Sequence, residues 1–282
     1  MPESPYVPPA VWSPETVSGG AFAGINRPTA GPRSEAELPR GAHPLQLYTL
    51  ATPNGQKASM MLEELIEAGH DAEYDGWTIE IGQGDQFSTG FVAVNPNSKI
   101  PALLDLRGER PVRVFESGAI LLHLADSFGA LGGSGANRAE VLSWLFWQVG
   151  AGPFMGGGFG HFYHYAPEKL EYPINRYAME VKRLFDVADR RLQESRYLAG
   201  DEYTIADIAS YPWLSGFVFG TAYGNAREFL AIDEYQAVSR WVAEIAARPA
   251  VRRGRLVGRV TGPPDKQLRE RHSPADFVGK DV

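Results

Sequence analysis

The 282 residues include no cysteine. That excludes disulfide staples and any covalent thiol intermediate on the protein, so thiol chemistry here needs a sulfur carried by a ligand. It also fits a reducing, cytoplasmic setting. Long apolar runs are missing too. None approaches the roughly 20 residues that cross a bilayer, which argues against a membrane-spanning protein. The start, Met1-Pro-Glu-Ser-Pro-Tyr-Val-Pro-Pro9, is neither basic nor apolar enough for a signal peptide. There is no basic excess either: 27 Lys and Arg stand against 34 Asp and Glu, a net charge of −7. Nucleic acid is disfavoured as a general partner, because no cationic surplus exists to displace its counterions. What remains is 44% hydrophobic and 22% charged, the composition of an ordinary globular protein with one large or two ordinary domains.

Residues 1–43 are rich in Pro, Gly and Ala with little periodicity, and read as an N-terminal extension. Within it, Phe22, Ile25 and Asn26 stand between glycines, so residues 20–32 are expected to order partly, as a loop over the folded body. From residue 44 to 130 short strands alternate with helices. Leu45–Leu50 reads as a strand ended by the turn Thr52-Pro-Asn-Gly55, and Ala58–Ala68 carries Met61, Leu62, Leu65 and Ile66 at helical spacing. Ala72–Ile81 looks extended. Lys99–Leu104 and Arg113–Phe115 flank a hairpin turn, and Ser117 opens a helix with Ile120, Leu121 and Leu124 on one stripe. A β-α-β unit followed by β-β-α predicts a thioredoxin-like mixed sheet flanked by helices. The glycine-rich stretch 131–136 reads as a linker. Helical periodicity at 137–150, 173–195, 205–222 and 235–247 then predicts an all-helical domain over 137–253, followed by a tail at 254–282.

The densest chemistry lies in Asn95-Pro-Asn-Ser-Lys-Ile-Pro-Ala-Leu-Leu-Asp105 and in Val114-Phe-Glu-Ser-Gly118. A proline precedes a short apolar strand, and a carboxylate and a hydroxyl then open an amphipathic helix. This suits gripping a small peptide by its backbone and its charged end. Helix N-termini favour anions, so Glu116 and Ser117 either cap the helix or hold a ligand's charged end. Thr204-Ile-Ala-Asp207 is a capping box, a folding device. Trp144, Phe146 and Trp147 read as core aromatics. His161 and His164 lack further ligands at metal-binding spacing, and their glycine-rich surroundings point to a packed loop lining the cleft; no metal is expected.

The order of elements, Ser98-Lys-Ile-Pro101, the Glu116-Ser117 pair and Asp201-Glu-Tyr-Thr-Ile-Ala-Asp207 resemble the glutathione transferase superfamily. Thr52-Pro-Asn-Gly55, Gly82-Gln-Gly-Asp-Gln-Phe-Ser88 and Asn95–Pro101 resemble its nu class. Gly20–Pro28 and Gly156–Pro167 resemble the YghU-type disulfide-bond oxidoreductase branch of that class. The likeness runs from about residue 18 to about 278.

The resemblance implies glutathione as co-substrate and a cis bond before Pro101. Ile100 would then pair its N–H and C=O with the cysteinyl backbone of the ligand, as an added strand. It implies that Ser117 takes the γ-glutamyl carboxylate, that Glu116 takes the ammonium, and that Lys99 stands by the glycyl carboxylate. Gln86 either directs an amide donor to that same end or stabilises its own turn. Arg176 either forks onto a ligand carboxylate or forms a salt bridge. Asn26 reaches the cleft if its loop folds over it. Gln148 is a weaker candidate, one position out of step with the family pattern.

The thiol needs an activator, and Tyr48 lies too early in its strand to serve. At the superfamily's activating position stand Thr52, Pro53 and Asn54, where the Thr52 hydroxyl and the Asn54 amide or backbone N–H groups can donate to a thiolate without ionising; alternatively the three form only a turn and a cap. The implied activity is glutathione-dependent reduction of disulfides with weak transferase activity, the partners being glutathione and small disulfides or electrophiles, in a cytoplasmic homodimer. Two other classes stay open: a transferase acting mainly on electrophilic xenobiotics, and a non-catalytic binding or dimerisation module.

Overall fold

The computed structural model describes residues 7–13, 25 and 27–280. The first half runs β1 (Leu45–Thr49), α1 (Pro53–Glu67), β2 (Tyr74–Thr78), α2 (Thr89–Val94), β3 (Ala102–Asp105), β4 (Val112–Phe115) and α3 (Ser117–Phe128). β1 pairs parallel with β2 and antiparallel with β3, and β3 pairs antiparallel with β4, giving the order β2-β1-β3-β4. This is the expected thioredoxin-like layout. Strand alternation divides the side chains between the two faces. Leu45, Leu47 and Leu103 join Met61, Leu62, Leu65, Ile120 and Leu121 of α1 and α3 in one core. Tyr48, Ala102 and Leu104 pack with Phe91 and Val94 of α2 on the other face.

The second half is helical: α4 (Gly135–Pro153), a π-helical run (Phe154–Tyr165), α5 (Glu171–Glu194), α6 (Ile205–Val218), α7 (Ala226–Phe229), α8 (Gln236–Ala246) and α9 (Pro249–Gly254). The capping box forms at α6, where the buried Asp207 carboxylate also accepts from Leu198 N and from Trp241 Nε1. Two expectations change. The glycine-rich segment around His161 and His164 is π-helical instead of a loop. Its glycines let aromatic rings lie on its backbone: a Cβ at Gly158 would stand 2.4 Å from the Tyr177 ring. Phe146 is 62% exposed, because the buried stripe of α4 passes through Val141, Leu145 and Gln148. The tail doubles back onto the sheet edge, where Gly76 of β2 exchanges two backbone hydrogen bonds with Arg271, whose side chain is fully buried.

The extension also packs in part. Arg33 and Ser34 donate backbone N–H groups to the Phe87 carbonyl, and the Arg33 guanidinium stacks 3.5 Å over the Phe87 ring. Asn26 lies outside the described residues.

Candidate functional site

The site is built at the turn after β1. Thr52 is extended (φ −82°, ψ 166°) and caps α1, its Oγ1 accepting from Gly55 N at 3.2 Å. Pro53 occupies the first helical position, where a missing N–H costs nothing. Gly55 is required for space, since a Cβ there would stand 1.9 Å from the Leu50 carbonyl. Asn54 Oδ1 accepts from Trp213 Nε1 of α6 at 2.9 Å. An indole nitrogen can only donate, so this contact fixes which end of the amide is which: the oxygen faces Trp213 and the NH2 is left to donate elsewhere. Thr52 borders a pocket of about 330 Å³ with Gln56, Thr221, Arg255 and Arg259. Tyr48 takes no part. It is fully buried and donates to the Pro39 carbonyl at 2.8 Å, and burial pushes its hydroxyl up to about 12.

The second wall is the loop before β3. Buried Asn95 shapes it, donating to the Lys99 carbonyl at 2.5 Å and accepting from Asn97 N at 2.9 Å. Ser98 takes a left-handed conformation (φ 53°), and the Ile100–Pro101 bond is cis. Among the described residues no backbone hydrogen bond claims the Ile100 N–H or carbonyl, so both stay free for an extended ligand. Lys99 is exposed. It borders a pocket of about 280 Å³ shared with Ile25, Arg27, Arg33 and Asn97, a cationic pocket that brings the extension beside this loop.

The third wall is the start of α3. Glu116, at φ 70° and exposed, accepts from Asn97 Nδ2 at 3.2 Å, which joins the second and third walls. Ser117 is 9% exposed, and its Oγ accepts from Lys57 Nζ at 3.3 Å. Lys57 also donates to Gln148 Oε1 of α4 at 2.5 Å. Burial lowers this lysine to about 7, with Glu116 pulling weakly the other way.

Two candidates stand apart. Gln86 is buried and donates its Nε2 to the Ile81 carbonyl at 3.2 Å, a contact of the turn-stabilising kind, while its Oε1 has no hydrogen-bond partner among the described residues. Arg176 is half exposed on α5 and lies 3.7 Å from Glu180, the salt-bridge alternative. Among the described residues no three acidic or imidazole groups gather as a metal-binding cluster, and no helix is long and apolar enough to cross a membrane.

Lys57 and Trp213 had not been singled out from the sequence. Lys57 did leave a signal: it falls on the buried stripe Lys57, Met61, Leu65 at i, i+4, i+8. Trp213 left none, being 159 residues from the amide it holds.

Residues 43–126 match the family Glutathione S-transferase, N-terminal domain, and residues 159–249 match Glutathione S-transferase, C-terminal domain. The chain is 58% identical to the disulfide-bond oxidoreductase YghU of Escherichia coli K12 over 98% of its own length and 96% of the relative's. A crystal structure of the glutathione transferase YghU from Streptococcus pneumoniae, complexed with glutathione, superposes with a TM-score of 0.88. It is 55% identical, and the match covers 92% of this chain and 98% of that one. A Pseudomonas putida glutathione transferase with one glutathione disulfide bound per subunit superposes at 0.69, with 40% identity over 76% and 93% of the two chains.

Proposed function

The chain belongs to the glutathione transferase family, and we propose that it is a glutathione-dependent disulfide-bond reductase with weak transferase activity. One arrangement carries this reading. At the end of β1 the Thr52–Asn54 turn presents neutral donors, with the Asn54 amide held in donating orientation by Trp213, in a chain with no cysteine. A free thiol ionises near pH 8.5 (about), and such donors together with the positive end of α1 favour its thiolate.

Glutathione lies along Ile100 as an added strand, beside cis Pro101 and with its sulfur toward Thr52, Pro53 and Asn54. Ser117 and the N-terminus of α3 hold the γ-glutamyl carboxylate, and Glu116 holds the ammonium. Lys99, with the Arg27 and Arg33 pocket nearby, attends the glycyl carboxylate. Gln86 supports that end through the turn it stabilises. Arg176 and Asn26 are proposed as further glutathione contacts, Arg176 through a ligand carboxylate.

The bound thiolate attacks one sulfur of a disulfide RS–SR. A GS–SR bond forms, and RS⁻ leaves and takes up a proton. A second glutathione thiolate then attacks the glutathione sulfur of GS–SR, giving glutathione disulfide and the second RS⁻. Two glutathiones are oxidised and one disulfide is reduced, with no bond to the protein. The chain is proposed to act as a cytoplasmic two-fold homodimer, which light scattering would check.

The test couples turnover of glutathione and bis(2-hydroxyethyl) disulfide to NADPH through glutathione reductase. Turnover above the uncatalysed rate is expected. Glutathione binding without disulfide turnover would sink the reductase reading, and faster conjugation of aryl halides would replace it with the transferase one. No heat with glutathione or its disulfide would leave only a binding module.

A further inference from the structure

Lys57 has the wrong company for a buried cation. It is 1% exposed, and among the described residues its ammonium reaches only two neutral oxygens, Ser117 Oγ at 3.3 Å and Gln148 Oε1 at 2.5 Å. Gln148 is itself 2% exposed, and its Nε2 has no hydrogen-bond partner among the described residues. The cluster therefore holds one cation and one unused donor with no anion to receive them. In a dry interior that is an incomplete site, because a buried charge is held at low cost only when paired. The charges nearby do not complete it. Glu116 of α3 is exposed and hydrogen-bonded to Asn97. The elements packed on α1 commit theirs elsewhere: on α6 Asp207 accepts from Trp241 and Tyr211 from Arg255, and on α9 Arg253 pairs with Glu63.

The polarity of the contact says what is missing. An ammonium only donates, so Ser117 Oγ accepts from Lys57 and keeps its own hydrogen to give outward. That hydrogen lies at the first residue of α3, where the helix dipole also favours negative charge. Hydroxyl, helix end and buried cation converge on the place of one carboxylate.

We propose that Lys57 is the buried counter-charge of the ligand's γ-glutamyl carboxylate, a positioning residue that turns Ser117 toward the ligand and gains a proton when the carboxylate arrives. This rests on the glutathione reading above. Burial holds the free lysine near neutrality, at about 7. An anion two bonds' reach beyond Ser117 raises it again, so binding draws a proton from solvent.

Isothermal titration with S-methylglutathione, whose sulfur cannot ionise, reads the exchanged protons when run in phosphate and in Tris. At pH 7 the parent should take up about half a proton per site, and more at pH 8. Lys57→Met should lose that uptake and bind roughly tenfold more weakly, in line with loss of a charge-assisted contact. The ligand's own ammonium is common to both proteins, so the difference isolates the lysine. Equal uptake in the two proteins, or none in the parent, overturns the proposal and leaves the glutathione reading standing. No binding by the parent overturns both. Should Lys57→Met not fold, ¹³C-labelled lysine NMR of the parent decides: one lysine should titrate near neutrality when free and well above it when saturated. Unshifted lysines in both states overturn it.

Discussion

The two ends of α1 follow opposite electrostatic plans. Its C-terminal half carries Glu63, Glu64 and Glu67, and each meets an arginine from the segment after α8. Arg248 forks onto Glu64 at 2.6 and 2.7 Å, and Arg253 spans Glu63 at 2.8 Å and Glu67 at 2.6 Å. Arg271, fully buried, stands 3.3 Å from Glu63 and 2.7 Å from Glu73. Here each acid of α1 is matched by a base within the chain. At the N-terminal half Thr52 and Asn54 are neutral, and among the described residues Lys57 has no acid at contact distance. Charge there is left open. The closed end clamps the chain's last segments to the thioredoxin-like half in any ligand state. The open end can be completed only from outside. A helix of 15 residues thus separates holding the fold together from receiving the ligand.

The largest effect should come from breaking the closed end. Arg271→Met removes a guanidinium that also donates to the Tyr74 carbonyl at 2.9 Å and lies 4.2 Å over the Tyr74 ring. Breaking a buried pair by deleting one partner costs about 3–5 kcal/mol. Denaturant unfolding should show that loss, while the folded fraction binds glutathione as the parent does. If affinity fell with stability, the two ends of α1 would not be separable.

Next come two substitutions at the open end that differ by one step of remove. Asn54→Ala deletes the proposed donor itself, and kcat should drop by about 10² or more, as for loss of an oxyanion-type donor. Trp213→Phe keeps the ring but removes the N–H that orients the amide. It should cost about tenfold in kcat, near the worth of one hydrogen bond, with KM little changed. In both, the ultraviolet absorbance of bound thiolate should titrate at higher pH than in the parent. An unmoved thiolate titration in Trp213→Phe would show that the indole is packing alone.

Much of this was legible in the sequence, and the reason is periodicity. β1, β3 and β4 alternate or run apolar between turn signals, and α1, α3, α5 and α8 are long enough to repeat at 3.6 residues. The short helices α2, α7 and α9, of 6, 4 and 6 residues, complete too few turns for any stripe to register. The Thr52 turn, Ile100-Pro101 and Glu116-Ser117 were visible because each is a local signature. What polarises them was not, because Lys57 lies 60 residues from Ser117 and Trp213 lies 159 from Asn54. Such contacts are products of the packing between α1, α3, α4 and α6. Arg271 was hidden in the same way, in a segment whose composition reads as tail. Gln86 is a different case: its amide could serve the ligand or its own turn, and the sequence could not show that its Nε2 reaches the Ile81 carbonyl.

The open end should also leave a trace in stability. Lys57 is held at about 7 when folded and relaxes to its ordinary 10.5 on unfolding. Below pH 7 both states carry the proton, so the full penalty of burying the charge is present and independent of pH. Between 7 and 10.5 the folded lysine is neutral while the unfolded one still binds a proton, so stability from this group rises with pH, by about 1.4 kcal/mol per unit. Other groups titrate in the same range, which makes a difference the right measurement. Ligand-free parent and Lys57→Met are compared by urea unfolding from pH 6 to 9. The variant lacks the rising contribution, so its stability relative to the parent should be level up to pH 7 and then decline. Repeated with saturating S-methylglutathione, the parent's rise should start at higher pH, because the carboxylate has closed the charge. A difference that stays flat throughout would mean that Lys57 keeps its proton without the ligand, and that this end of α1 is as closed as the other.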